Sequence, residues 1–176
     1  MIKNFIKKIV SGGQTGVDRA ALDVAIKLNI SHGGWCPYGR KAEDGIIPKK
    51  YNLRESPRPT SEEIMDPDAI YKKRTELNVR DSDGTMIVAQ EPLVGGVLYT
   101  LQMVNKYKRP YLIINISEKT NPMDFSIWII KNNIRKLNIA GPRASQSNNI
   151  YEATYQILHQ FLNHDLLNKD THMKNL

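Results

Sequence analysis

An apolar run, Phe5-Ile6-Lys7-Lys8-Ile9-Val10, ends abruptly in Ser11-Gly12-Gly13-Gln14-Thr15-Gly16, and helical spacing begins at Val17. A strand, a glycine turn and a helix N-terminus thus follow one another directly, which restricts the chain to folds that set a helix immediately behind a strand end. Such junctions suit phosphorylated or otherwise anionic ligands. Glycine lets the backbone approach closely, and unpaired N–H groups and the helix dipole favour negative charge. A tight turn can equally require glycine for positive φ alone, so both readings stand on these residues.

The remaining pattern alternates between strand-like and helical stretches. Apolar residues at Val17, Ala21, Leu22, Val24, Ala25 and Leu28 mark a buried helix face, and residues 30–34 suit a short second strand. From Trp35 to Pro67 the chain carries Pro37, Pro48, Pro57, Pro59 and Pro67 with little periodicity, the profile of a lid or binding loop. A polar helix is expected over about 67–80, a buried strand over 85–89, a helix from Gly95 to about 107 and a strand over 111–116. A helix over 123–133, a strand over 137–140 and a last helix over about 148–164 complete the series. Alternation of this kind predicts an α/β fold, with a mainly parallel, doubly wound sheet flanked by helices. Residues 1–166 are expected to form a single domain, and 167–176 a polar, flexible tail.

Three strand-to-helix junctions carry small residues: Gly12 to Gly16, Gly95-Gly96, and Gly141 to Ser145. A parallel sheet gathers such junctions at the carboxyl ends of its strands, where ligands bind. Neither the Walker A nor the dinucleotide-binding glycine pattern is present, which removes weight from ATPase and dehydrogenase readings.

The net charge of +7 would suit nucleic acid, yet lysines and arginines are scattered without a basic stripe interleaved with aromatics. Attraction of a small polyanion explains the charge as economically, and nucleic acid is disfavoured as a partner. Cys36, the single cysteine, excludes an intramolecular disulfide framework and makes the cytoplasm the default compartment. The N-terminal apolar stretch is interrupted by Lys7 and Lys8 and lacks a cleavage site, and no window reaches transmembrane length, so no membrane partner is expected. One cysteine without clustered histidine predicts no metal centre; Cys36 reads better as a packed thiol than as a ligand.

Taken in order, Ser11 to Leu22, His32-Gly33-Gly34-Trp35-Cys36-Pro37, Gly39 to Gly45, Arg74-Thr75, Asn78 to Thr85, Gly95-Gly96 and Ala140-Gly141-Pro142-Arg143 resemble the molybdenum cofactor carrier proteins. These belong to the circularly permuted, YpsA-like branch of the SLOG superfamily, and the resemblance runs from about Ile9 to Leu162. It implies a Rossmann-like domain, commonly oligomeric (a homodimer or homotetramer), that binds and protects molybdenum cofactor, or molybdate, as cargo. It also implies an acceptor apo-molybdoenzyme or a cofactor biosynthesis protein as partner.

On that reading Gly12, Gly13, Gln14, Thr15 and Gly16 form one anionic pole. Gly95, Gly96 and Thr100 line the same cleft, while Arg143 and Ser145 offer a charged fork and a hydroxyl to phosphate or molybdate oxygens. Asp18 and Arg19, in the first helical turn, either touch ligand or merely complement the dipole and solvent. Arg40 and Lys41, with Glu43 and Asp44, lie in a charged loop able to close over the cleft. Arg74, Asn78 and Asp81 share one helical face, suited to ligand or to a subunit interface. No catalytic residue is assigned. A bulky residue at Gly16, or Arg143→Ala, is expected to weaken ligand binding more than folding.

Other ligand classes remain compatible with these junctions. A nucleotide or ADP-ribose sensor would use them equally well. The phosphoribohydrolases of the same superfamily cleave a nucleotide N-glycosidic bond with a glutamate following their paired glycines. Here Gln102 stands at that position and cannot ionise, leaving Glu91 as the nearby substitute.

Overall fold

The computed structural model describes residues 1–66, 68–90 and 92–164. Glu91 and the tail expected over 167–176 lie outside the described residues. Among the described residues eight strands and five α-helices follow one another as β1 (Lys8–Val10), α1 (Val17–Lys27), β2 (His32–Cys36), β3 (Lys41–Ala42), β4 (Gly45–Ile46), β5 (Leu53–Glu55), α2 (Ala69–Arg80), β6 (Gly84–Ala89), α3 (Gly95–Lys106), β7 (Tyr111–Asn115), α4 (Pro122–Lys131), β8 (Lys136–Ala140) and α5 (Ile150–Asn163).

Six strands form one parallel sheet in the order β5-β2-β1-β8-β6-β7, and β3 and β4 form a separate antiparallel hairpin. All six residues of β6 are buried, as expected of a parallel strand covered on both faces. Met86 and Val88 join the main core, where α1, α4 and α5 contribute Val24, Phe125, Ile129, Leu158 and Phe161. Ile87 and Ala89 face the other way, onto Val97 of α3. α2 closes that second face by packing Val79 on Met103 and Val104. α4 starts where it does because the Asn121 side chain accepts a hydrogen bond from Met123 N–H at 2.9 Å, with Pro122 in the first turn.

The sequence-based expectation missed β5 and the β3–β4 hairpin, both inside the segment read as irregular. β5 is the short string Leu-Arg-Glu on the sheet edge with only Leu53 buried, so neither alternation nor an apolar run announces it. The parallel β2-to-β5 connection therefore contains a hairpin instead of a helix. Phe5 and Ile6 also lie outside β1, after a 3-10 turn at Ile2–Asn4.

The helix after β1 leads outward to β2, the helix after β6 leads outward to β7 in the opposite direction, and β8 lies between the two. This is the switch of strand order at which open parallel sheets leave a crevice beyond their carboxyl ends.

Candidate functional site

A cavity of about 470 Å³ opens at that crevice, and all three glycine junctions reach it. The β1 loop and first turn of α1 supply Gln14 and Asp18; α2 supplies Tyr71, Lys72, Arg74 and Thr75. Gly95, Gly96, Leu98, Tyr99, Thr100 and Gln102 come from α3, and Gly141, Arg143 and Gln146 from the segment after β8.

At the cavity Asp18, only 2% exposed, accepts from Arg74 Nη1 through Oδ2 at 2.8 Å and from Gln14 N–H at 3.3 Å. Asp18 Oδ1 and Arg74 Nε have no hydrogen-bond partner. Burial pushes the Asp18 carboxyl above its ordinary pKa, and the Arg74 guanidinium pulls back against that shift. The pair also accounts for Gly12: a Cβ there would stand 1.9 Å from Arg74 Nη1 and 2.8 Å from Asp18 Oδ2. Asp18 is thus a buried partner of α2 and not simply a complement to the dipole of α1.

The glycine loop itself is stitched to two neighbouring segments. Gln14 Oε1 accepts from the N–H groups of Thr15 and Glu43, both at 3.0 Å. Thr15 Oγ1 accepts from Ala144 N–H at 3.1 Å and donates to the Glu43 carboxylate. Gly16 holds φ +74°, and a Cβ on it would stand 2.6 Å from the Pro142 carbonyl oxygen and 2.9 Å from Ala144 N. Gly13, at φ +79°, lies against Leu53 and Ile47. Packing therefore suffices to explain the glycines at 12, 13 and 16, which changes the expected outcome at Gly16 from lost binding to lost folding.

Gly95 and Gly96 differ. A Cβ at either would meet no atom within 4 Å, so packing does not require glycine there, although Gly95 does hold φ +55°. These residues open α3 directly onto the cavity. Thr100 Oγ1 donates back to Gly96 O at 2.9 Å, inside the helix.

Glu43 and Asp44 form the tip of the β3–β4 hairpin and dock on the loop. The Glu43 carboxylate accepts from Ser145 N–H at 3.2 Å and from the Thr15 and Ser145 hydroxyls, with Arg143 Nε 3.4 Å away. Asp44 forms a bidentate pair with Arg19 at 2.6 and 2.8 Å, and Arg19 Nε also donates to Gly13 O. Arg40 sits beneath the hairpin and outside the cavity lining. Its guanidinium donates to the carbonyls of Ile47, Leu53, Pro48 and Tyr51. Lys41 is exposed on β3.

Partial burial raises the Glu43 pKa, but the Ser145 and Thr15 hydroxyls outweigh it and hold the carboxyl below its ordinary value. Hydrogen bonds from Arg19 do the same for Asp44. Groups depressed in the folded state stabilise it above their ordinary pKa and lose that contribution as pH falls through the folded value. Amide exchange at Glu43 and Ser145, corrected for intrinsic rates, should therefore stay slow at neutral pH and accelerate selectively below about pH 4, the ordinary carboxylate range. Equal protection at pH 7 and pH 3 would contradict this docking.

The Arg74, Asn78 and Asp81 face is an internal seam. Asn78 donates to Trp35 O at 2.9 Å and accepts from Trp35 N–H at 2.7 Å, while Asp81 accepts from the Trp35 indole at 2.8 Å. It fixes α2 to β2 and presents Arg74 to the cavity. Cys36 is fully buried beside Leu22, Ile47, Tyr51 and Leu53, and burial raises its thiol pKa. Among the described residues no group of three His, Cys, Asp or Glu side chains is placed to hold a metal ion. No helix among them is long and apolar enough to cross a membrane.

Tyr71, Lys72 and Gln146 were not foreseen as lining residues. Tyr71 and Thr75, four apart, share a helical face, a signal obscured by the polar composition of α2.

A family model described as the circularly permutated YpsA SLOG family matches residues 9–162. A crystal structure from Syntrophus aciditrophicus SB, of a protein named "Putative molybdenum carrier protein", is 45% identical; the match covers 89% of this chain and 95% of that one, with a TM-score of 0.81. No curated protein matches the chain. The family model spans residues 9–162 and the fold recurs in a structure 45% identical to this chain, so the chain belongs to the circularly permutated YpsA SLOG family.

Proposed function

We propose that the protein binds and shields molybdenum cofactor, or molybdate, in the crevice beyond β6 and β8, and passes it on without catalysing a reaction. The observation carrying this reading is the pairing of Gly95-Gly96, a helix N-terminus open to the cavity, with Arg143 on the facing segment. Backbone N–H groups, a helix dipole and a guanidinium are the donors that a terminal phosphate and metal oxo groups require. Tyr71 and Tyr99 line the same cavity and add flat apolar surface for a pterin. The name of the similar Syntrophus protein supports the molybdenum cargo. On this reading the protein works in the cytoplasm as a homo-oligomer and delivers its cargo to an apo-molybdoenzyme.

The test is anaerobic binding of molybdenum cofactor against molybdate, AMP and ADP-ribose, followed by reconstitution of an apo-molybdoenzyme. Saturable cofactor binding with transfer is expected. Binding of a nucleotide alone would replace the carrier by a sensor, and release of free base would replace it by a hydrolase. Gly96→Val should fold like the parent, because its side chain enters open space, while Arg143→Ala removes an exposed guanidinium. Each should weaken cofactor binding roughly 10- to 100-fold, the scale of a lost charge-assisted contact, with melting temperatures unchanged. Parental affinity in both variants would place the ligand elsewhere.

A further inference from the structure

The β3–β4 hairpin is anchored at its base, where Ala42 packs against the cluster of Leu22, Cys36, Ile47, Tyr51 and Leu53, and its Glu43–Asp44 tip is held by polar contacts. At the base, Ile47 is fully buried and Arg40 binds four backbone carbonyls. Neither strand pairs with the main sheet, Ile46 is 70% exposed, and Gly45, at φ +113°, has open space around it. The two acidic side chains of the tip take donors of the kinds that hold oxyanions: the Thr15 and Ser145 hydroxyls, the Ser145 N–H, and the guanidinium groups of Arg143 and Arg19. Arg143 belongs to both settings, since it lines the cavity and stands 3.4 Å from Glu43. An anion that claims Arg143 from the cavity side thus competes with the protein's own carboxylate.

We propose that the Glu43–Asp44 turn is a latch, an internal anion that occupies the donors of the glycine loop and the β8 segment and must swing away before a ligand's phosphate or oxoanion can use them. This rests on the reading of the crevice as an anion site. Release of the turn also withdraws two negative charges from the loop, so the same movement that frees the donors raises the local positive potential. Apparent affinity in the parent protein is the intrinsic affinity reduced by the fraction of molecules with the latch open.

The experiment compares the parent with the variant Glu43→Ala/Asp44→Ala, titrating molybdate and AMP in separate calorimetric runs. Amide exchange over residues 41–46 is followed with and without each probe. The expected result is at least about tenfold tighter binding of a probe by the variant, the factor by which a mostly closed latch masks the site. In the parent, exchange over 41–46 should accelerate when the probe binds. Equal or weaker binding by the variant, or slower exchange over 41–46 on binding, overturns the latch while leaving the anion site in place. If neither protein binds either probe, the anion reading fails and the latch fails with it.

Discussion

Arg74→Ala should cost about 3–5 kcal/mol of stability, the range for removing one partner of a buried ion pair. Asp18, 2% exposed, would keep its carboxylate in the interior with only neutral polar neighbours, Gln14 N–H at 3.3 Å and the Ser11 hydroxyl, in place of the guanidinium. Thermal unfolding near neutral pH should show a drop of roughly 10 °C. Asp18→Asn/Arg74→Met should lose much less, because the penalty arises from an uncompensated charge and not from missing attraction. The pH dependence has a definite sign. Without Arg74 the Asp18 carboxyl is raised further above its unfolded pKa, so the deficit is full above the folded pKa and shrinks on acidification through it. A loss below about 1 kcal/mol at neutral pH, the level of an exposed pair, would mean that water reaches Asp18 and the pair is not a buried one.

Gly16→Val should damage the fold almost as severely. A β-branched residue would be forced into φ +74° with its Cβ 2.6 Å from the Pro142 carbonyl oxygen, and both obstacles are backbone geometry that no rotamer change relieves. Left-handed strain of about 1–2 kcal/mol and overpacking of about 1–3 kcal/mol should together remove roughly 2–5 kcal/mol. The β1–α1 turn and the segment after β8 should separate, visible as faster amide exchange at Val17, whose N–H donates to Pro142 O at 3.3 Å. Parental stability would show that the segment after β8 is free to retreat. Gly16→Val thus probes the fold, whereas Gly96→Val, whose side chain enters open space, probes the proposed ligand site without disturbing packing.

The two glycine pairs illustrate how far the amino-acid sequence could be read. Gly12-Gly13 and Gly95-Gly96 look alike as strings, the first shortly before α1 and the second opening α3. Only contact geometry separates them, since the first pair lies against Arg74, Leu53 and Ile47 and the second faces empty space. Asp18 and Arg74 are separated by 56 positions, and no local pattern marks such a partnership. Arg40 was legible as a charged loop residue, yet its donors end on carbonyls supplied by the turn that encloses it. Glu43 and Asp44 were legible as a closing loop, without the information that their own carboxylates occupy the loop's donors.

The alternation of strands and helices, the location of the glycine junctions at strand ends and the family were determined by sequence alone. These depend on periodicity and local turn chemistry, which short windows contain. The tertiary structure decided the insertion of β8 between β1 and β6, the recruitment of β5 from a segment with no strand signal, and the pairing of α2 with α1 through Arg74 and Asp18. Each joins residues far apart in the chain whose partners are chosen by burial and charge compensation, quantities that exist only once the sheet has closed its two faces.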